Sequence, residues 1–143
     1  MGASKFLSKE EEKTIITAIE DAEMCSSGEI RVHIEEHCKV DPLDRATVIF
    51  AKLKMHKTEL RNGVLFYIAY KDHKLAILGD AGINSVVPEN FWNNIKETMI
   101  PLFKEDRYAE GICEGVRMAG EKLKAFFPYQ NNDKNELPNE ISY

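Results

Sequence analysis

The sequence predicts an α/β fold, a three-layer-like sandwich in which helices cover both faces of a mixed β-sheet. The first observation is the segment Val64–Tyr70, which is apolar at every position and therefore typical of a strand buried on both sides. The second is the clean alternation over Glu29–His37, which is typical of a strand with one polar face near the edge of a sheet. The third is the helical spacing of apolar residues before, between and after these strands. The predicted element order is α-β-α-β-β-α-α.

The first two helices have recognisable starting signals. Ser8 is followed three positions later by Glu11, a capping-box pattern, and we predict a helix over Ser8–Met24. Asp41 has the pattern of an N-cap before a proline at the first helical position, and we predict a second helix over Pro42–Met55. Because this helix connects two strands, those strands should be parallel and the connection right-handed.

After the central strand, a short polar reversal predicts that Lys74–Leu78 returns antiparallel to it. The turn Gly79–Gly82 ends this third strand, and its glycines indicate positive φ or the close approach of another group. Pro88 begins the next helix, which Pro101 ends or kinks. The apolar repeat over Tyr108–Leu123 predicts the last long helix.

The 143 residues are enough for one domain with a substantial core. We predict a flexible N-terminus over residues 1–6, the α/β domain over residues 7–128 and a disordered polar tail over residues 129–143. The net charge of -5 argues against nucleic acid as a partner. The chain starts without the apolar run of a signal peptide and contains no membrane-span-length apolar segment. Three cysteines without a CxxC spacing fit reduced thiols, so the sequence predicts a cytoplasmic protein, and we expect a monomer.

Four segments of the chain form a family pattern. They are SGEIRVHI at residues 27–34, NGVLFYIAYKDHKLAILGDAGI at residues 62–83, VPENFW at residues 87–92 and PLFKEDRYAEGICEGV at residues 101–116. Over about residues 7–128, this pattern resembles the TPM domain family, also known as the TPM phosphatase or DUF477 family. The resemblance implies an α/β sandwich, an association with phosphatase activity, and divalent-metal binding in some members. Many relatives carry an export signal or membrane anchor, so this chain resembles a short soluble branch.

Four residues are the candidates for a site, and all lie near predicted strand ends. Asp80 and Glu29 are the candidate metal ligands, because carboxylate oxygens suit Ca²⁺ or Mg²⁺. Arg61 and Asn62 are the candidate phosphate or ligand contacts, since an arginine can hold a phosphate with two hydrogen bonds. The alternatives stay open: Asp80 can cap its own turn, Asn62-Gly63 can be a simple turn, and Glu29 can be a surface residue.

Other chemistry has weaker support. A zinc site from His33, His37, Cys38 and Cys25 is disfavoured, because strand residues four apart lie about 13 Å from each other. Cys113 has no neighbouring base that would activate a thiol. The sequence contains no P-loop, GxSxG or GxGxxG motif. We therefore favour a binding or accessory module that takes a divalent cation, a small ligand or a protein partner. The alternative is a metal-assisted phosphatase that acts on phosphomonoesters.

Overall fold

The computed structural model describes residues 6–58, 60–128 and 139–143. The predicted α/β class is confirmed, and the element order matches except for one additional helical turn, α3. Short 3₁₀ turns follow α2 and β2 at Met55–Lys57 and Tyr70–Asp72. The helices and strands in chain order are α1 (Lys9–Cys25), β1 (Glu29–Glu35), α2 (Pro42–Lys52), β2 (Gly63–Ala69), β3 (Lys74–Gly79), α3 (Ala81–Asn84), α4 (Asn93–Lys104) and α5 (Tyr108–Leu123).

The three strands form one mixed sheet in the order β1-β2-β3. β1 and β2 are parallel, as the strand–helix–strand connection predicts, and Glu29 lies opposite Gly63. β2 and β3 are antiparallel, and Val64 lies opposite Gly79. Every residue of β2 is buried, which confirms the prediction from its unbroken apolar run.

The two faces of the sheet carry separate hydrophobic clusters. Val64 and Phe66 point into the larger cluster, where α1, α4 and α5 pack. Leu65 and Tyr67 point into a smaller cluster beneath α2. The alternation of strand side chains thus assigns odd-numbered residues of β1 and β2 to the α2 face.

Two predicted details differ in the structure. The polar face of β1 is more buried than its alternation predicts, since Glu29 and His33 are 4% and 5% exposed. Packing of α2 on that side of the sheet and hydrogen bonds to His33 explain how a polar face becomes buried. α4 begins at Asn93 rather than Pro88 and continues past Pro101 to Lys104. None of the helices in the described ranges is long and apolar enough to cross a membrane.

Both ends of the described chain contact the domain. Phe6, assigned from sequence to the flexible N-terminus, stacks on Tyr70 with ring centroids 3.9 Å apart. Residues 139–143, assigned to the disordered tail, lie along β1, where Ser142 pairs with His33 in a parallel bridge. Backbone hydrogen bonds explain this difference from the compositional prediction. Residues 1–5 and 129–138 of the two predicted flexible segments lie outside the described residues.

Candidate functional site

The four candidate residues lie at one end of the strands. β1 and β2 begin at this end of the sheet and β3 finishes there, so the loops before β1, before β2 and after β3 meet. The Glu29 amide donates to the Asn62 carbonyl at 3.1 Å, and the Asp80 amide donates to the Gly63 carbonyl at 2.9 Å. We call Glu29, Arg61, Asn62 and Asp80 the strand-end site. The general preference for ligands beyond the carboxyl ends of strands applies here to β3 alone.

Asp80 caps α3 and also pairs with Arg61. Its Oδ1 accepts hydrogen bonds from the Ala81 amide at 2.7 Å and from Arg61 Nη2 at 2.8 Å, and its Oδ2 accepts from Arg61 Nε at 2.7 Å. Burial opposes ionisation of Asp80, but the hydrogen bonds from Arg61 and Ala81 outweigh it and lower the pKa. The carboxylate is therefore ionised at neutral pH. Its capping role is the turn-forming alternative that the sequence left open.

Asn62 braces the loops of the site. Its Nδ2 donates to the Ser27 carbonyl at 2.5 Å, and its amide donates to Thr58 Oγ1 at 3.2 Å. Both Asn62 and Thr58 are buried. Within the described residues, the buried Oδ1 of Asn62 has no hydrogen-bond partner. An oxygen of this kind is normally satisfied by a water or an ion.

A glycine separates the two candidate carboxylates. Glu29 of β1 lies directly opposite Gly63 of β2. On the β3 side of Gly63, the Asp80 amide donates to the Gly63 carbonyl. Strand alternation directs Glu29 to the α2 face, and the charge of His56, just after α2, contributes to the lowered pKa of Asp80. Two strand spacings place the Glu29 and Asp80 backbones about 10 Å apart. Because Gly63 has no side chain, nothing from β2 fills the space between these acids.

Close packing of the neighbouring loops fixes this arrangement. The Gly82 amide donates to the Arg61 carbonyl at 2.9 Å. A Cβ at Gly82 would lie 2.7 Å from the Arg61 carbonyl oxygen and would also overlap the Leu60 carbonyl oxygen. The predicted close approach at this turn is therefore present. Arg61 itself adopts a left-handed conformation with φ of 51°, which turns the chain into β2.

A cavity of about 320 Å³ lies next to the site on the outer side of β3. It is lined in part by Gly79, Asn84 and Trp92. The Asn84 side chain donates to the Gly79 carbonyl at 2.8 Å, so these two lining residues are hydrogen-bonded to each other at the end of β3. A second cavity of about 420 Å³ lies between α1 and α5 and contains none of the four candidate residues.

The structure gives the two histidines of the disfavoured zinc site different partners. His37 Nδ1 lies 3.0 Å from Asp72 Oδ1, whereas His33 lies between Ser142 and Glu35. No group of three or more His, Cys, Asp or Glu side chains that could hold a metal occurs within residues 6–58, 60–128 and 139–143. Burial and the nearby Glu114 and Glu110 carboxylates raise the pKa of the Cys113 thiol, which leaves it poorly nucleophilic.

The sequence prediction missed one partly buried acid near this end of the strands. Glu23, in α1, accepts a hydrogen bond from the Ile30 amide at 3.0 Å. Burial, together with the charges of Glu29 and Glu20, raises its pKa to about 7, although the Ile30 bond acts in the opposite direction. A signal was present in the sequence, because Glu23 follows Ile19 by four positions and so falls within the apolar stripe of α1.

A mixed three-stranded sheet between two helical layers, with the candidate site residues at one end of its strands, defines a small α/β domain. The chain belongs to the TPM domain family, whose family model matches residues 3–122. No curated protein matches the chain.

The chain is similar to the BA42 protein from the psychrophilic bacterium Bizionia argentinensis, with 46% identity, a TM-score of 0.91 and coverage of 96% of this chain and 95% of that one. The N-terminal domain of a P. gingivalis protein shares the fold at 19% identity, with a TM-score of 0.73 and coverage of 92% and 85%. The N-terminal domain of cg2496 from Corynebacterium glutamicum also shares it, at 12% identity, with a TM-score of 0.68 and coverage of 91% and 81%.

Proposed function

We propose that this TPM-domain protein is a binding or accessory module whose strand-end site takes a divalent cation, either Ca²⁺ or Mg²⁺. The observation that carries the proposal is the row Glu29–Gly63–Asp80, in which two buried acids flank a residue without a side chain. Hard cations prefer carboxylate and amide oxygens, and Asn62, which precedes Gly63 in the chain, has a buried Oδ1 without a hydrogen-bond partner among the described residues. The donor set therefore fits Ca²⁺ or Mg²⁺ better than zinc.

The small number of acids supports a weak site. Calcium takes about six to eight oxygen ligands, so two carboxylates must be completed by amide oxygens, backbone carbonyls and water. Asp80 already accepts three hydrogen bonds, two of them from Arg61. A carboxylate has about four acceptor positions, so one remains for a cation while Arg61 stays in place.

A titration of the ¹⁵N-labelled chain with CaCl₂ or MgCl₂, followed by NMR, tests this proposal. The expected result is a set of chemical-shift changes centred on residues 61–63 and 79–83 that saturates with cation. Asp80→Asn and Glu29→Gln should each weaken binding at least tenfold. The matched control is Glu97→Gln, an exposed acid on α4, which should bind like the wild type. Shift changes that avoid residues 79–83 would contradict the proposed site.

A metal-assisted phosphatase is the second candidate, and the position of Arg61 favours it. This guanidinium is half exposed and lies directly against a proposed cation ligand, where it can contact a phosphate oxygen. Turnover of p-nitrophenyl phosphate that requires Mg²⁺ or Ca²⁺, survives stringent purification and disappears in Asp80→Ala would support this activity. Equal inactivity of the wild type and Asp80→Ala would leave the binding module.

The expectations about cellular context stay predictions. The net charge of -5 supports a protein that does not bind nucleic acid, and the cysteine pattern supports the cytoplasm. Analytical ultracentrifugation checks the expected monomer.

A further inference from the structure

The outer edge of β1 holds a short extended segment of the chain itself. The Ser142 amide donates to the Val32 carbonyl at 2.8 Å, and the Ile34 amide donates to the Ser142 carbonyl at 2.9 Å. Peptides that add a strand to an exposed sheet edge are bound by hydrogen bonds of this type. We call the strip of β1 from Ile30 to Ile34 the edge groove and its occupant, Glu140–Tyr143, the tail segment.

Side chains of the tail segment alternate between the two faces of the sheet. Ile141 is 9% exposed and packs into the larger hydrophobic cluster. The Tyr143 hydroxyl, on the same side, donates to the Glu12 carboxylate of α1 at 2.5 Å. Ser142 points to the other side, where its Oγ lies 2.9 Å from Nδ1 of the buried His33. An aliphatic, a hydroxyl and an aromatic side chain thus each have a defined partner.

A partly buried hydrogen-bond network determines how His33 receives the hydroxyl. His33 Nε2 lies 3.1 Å from Glu35 Oε1, and Glu35 also accepts from Tyr67 and Arg45. Burial opposes ionisation of Glu35, but these hydrogen bonds outweigh it and lower the pKa to about 2. An ionised carboxylate only accepts, so Nε2 carries the proton of the neutral ring and Nδ1 accepts from Ser142. The edge groove therefore selects a hydroxyl donor at this position.

The groove also contains a donor that the tail segment leaves unpaired. Arg31 Nε is buried and has no hydrogen-bond partner among the described residues. Glu140 is an acid whose charge acts on Arg31. It precedes Ser142 by two positions, so alternation directs it to the same side as Ser142. An acid that approaches Arg31 more closely would bind better than the chain's own residue does.

We propose that the edge groove recognises an extended segment of a partner protein with the pattern acid, aliphatic, Ser or Thr, aromatic, and that the tail segment occupies the groove in its absence. The tail segment pairs with β1 through two backbone hydrogen bonds, and a longer segment can add more. Its covalent attachment to the domain raises its effective concentration at the groove, which a partner must overcome. The groove shares no residue with the strand-end site, so this inference is independent of cation binding.

Fluorescence polarisation with a labelled peptide tests the proposal on the full chain. The probe is the heptapeptide LPNEISY, which copies residues 137–143, and its control is a scrambled peptide. Ser142→Pro removes the amide that bonds to Val32 and should vacate the groove. This variant should bind the probe at least tenfold more tightly than the wild type does, and it should bind the scrambled peptide no better than the wild type. Equal affinity of both chains, or equal binding of the scrambled peptide, would overturn the proposal.

Hydrogen exchange of the wild-type chain tests, without a substitution, whether the tail segment leaves the edge groove. The Ile34 amide bonds to the tail segment, whereas the His33 amide faces β2 by alternation. Ile34 should exchange at least tenfold faster than His33, and saturating LPNEISY should slow it. Exchange of Ile34 only through global unfolding would show that the groove does not open. A stable dimer that exchanges tail segments would assign the groove to a second copy and would also overturn the proposal.

Discussion

Arg61 and Asp80 are joined by two hydrogen bonds, from Nε to Oδ2 at 2.7 Å and from Nη2 to Oδ1 at 2.8 Å. The pair connects the loop before β2 to the loop after β3, which are neighbours at one end of the sheet. The two residues have unequal roles, because Asp80 also caps α3 through the Ala81 amide whereas Arg61 is half exposed. Their contributions to stability should therefore differ.

We expect Asp80→Ala to destabilise the protein more than Arg61→Ala. Loss of the cap alone costs about 1 kcal/mol, whereas loss of a half-exposed arginine leaves the cap in place. The double variant should be no less stable than Asp80→Ala, since both substitutions remove the same ion pair. Urea unfolding of the four proteins measures this cycle. Equal losses in the two single variants would show that the ion pair, rather than the cap, dominates, and a larger loss in Arg61→Ala would contradict the expected order.

Gly82→Ala should destabilise the protein by about 1–3 kcal/mol, because the new methyl group overlaps the Leu60 and Arg61 carbonyl oxygens. The matched control is Gly28→Ala, whose methyl group would meet the Leu123 Cδ1 side-chain atom at 3.1 Å. A side-chain methyl can shift more readily than backbone, so the control should cost less. Thermal unfolding compares the two variants, and equal losses would contradict the role assigned to the close approach at Gly82.

Local patterns sufficed to predict where the four candidate residues lie. The all-apolar β2 identified the central strand, and a parallel β1 and antiparallel β3 necessarily bring Glu29, Arg61 and Asp80 to one end of the sheet. The two hydrogen bonds between Arg61 and Asp80 depend on the left-handed turn at Arg61, which no apolar pattern reports. The tail segment was unpredictable for another reason: Ser142 meets His33 across 109 positions, and its polar composition resembles that of a disordered chain.

Glu35→Gln should destabilise the protein at neutral pH by about 1–2 kcal/mol, a range that allows for the partial exposure of this carboxylate. Its pKa is about 2 in the folded protein against an ordinary 4.5, so its stabilising contribution is complete above pH 4.5 and is lost as pH falls toward 2. The wild type and Glu35→Gln should therefore converge in acid. Urea midpoints between pH 2 and 7 measure this, and a constant difference across that range would be inconsistent with an ionised Glu35.

Glu23→Gln should have the opposite pH dependence. Burial and the neighbouring acids raise the pKa of Glu23 from 4.5 to about 7, so the folded state holds its proton more tightly than the unfolded state does. Its contribution therefore becomes less favourable as pH rises from 4.5 to 7, and the full cost persists above pH 7. Glutamine removes that cost and keeps an oxygen for the Ile30 amide, so it should add about 2 kcal/mol at pH 8 and almost nothing at pH 4. Urea unfolding at both pH values, with Glu97→Gln as the exposed control, decides whether the pKa of Glu23 is raised in the folded protein.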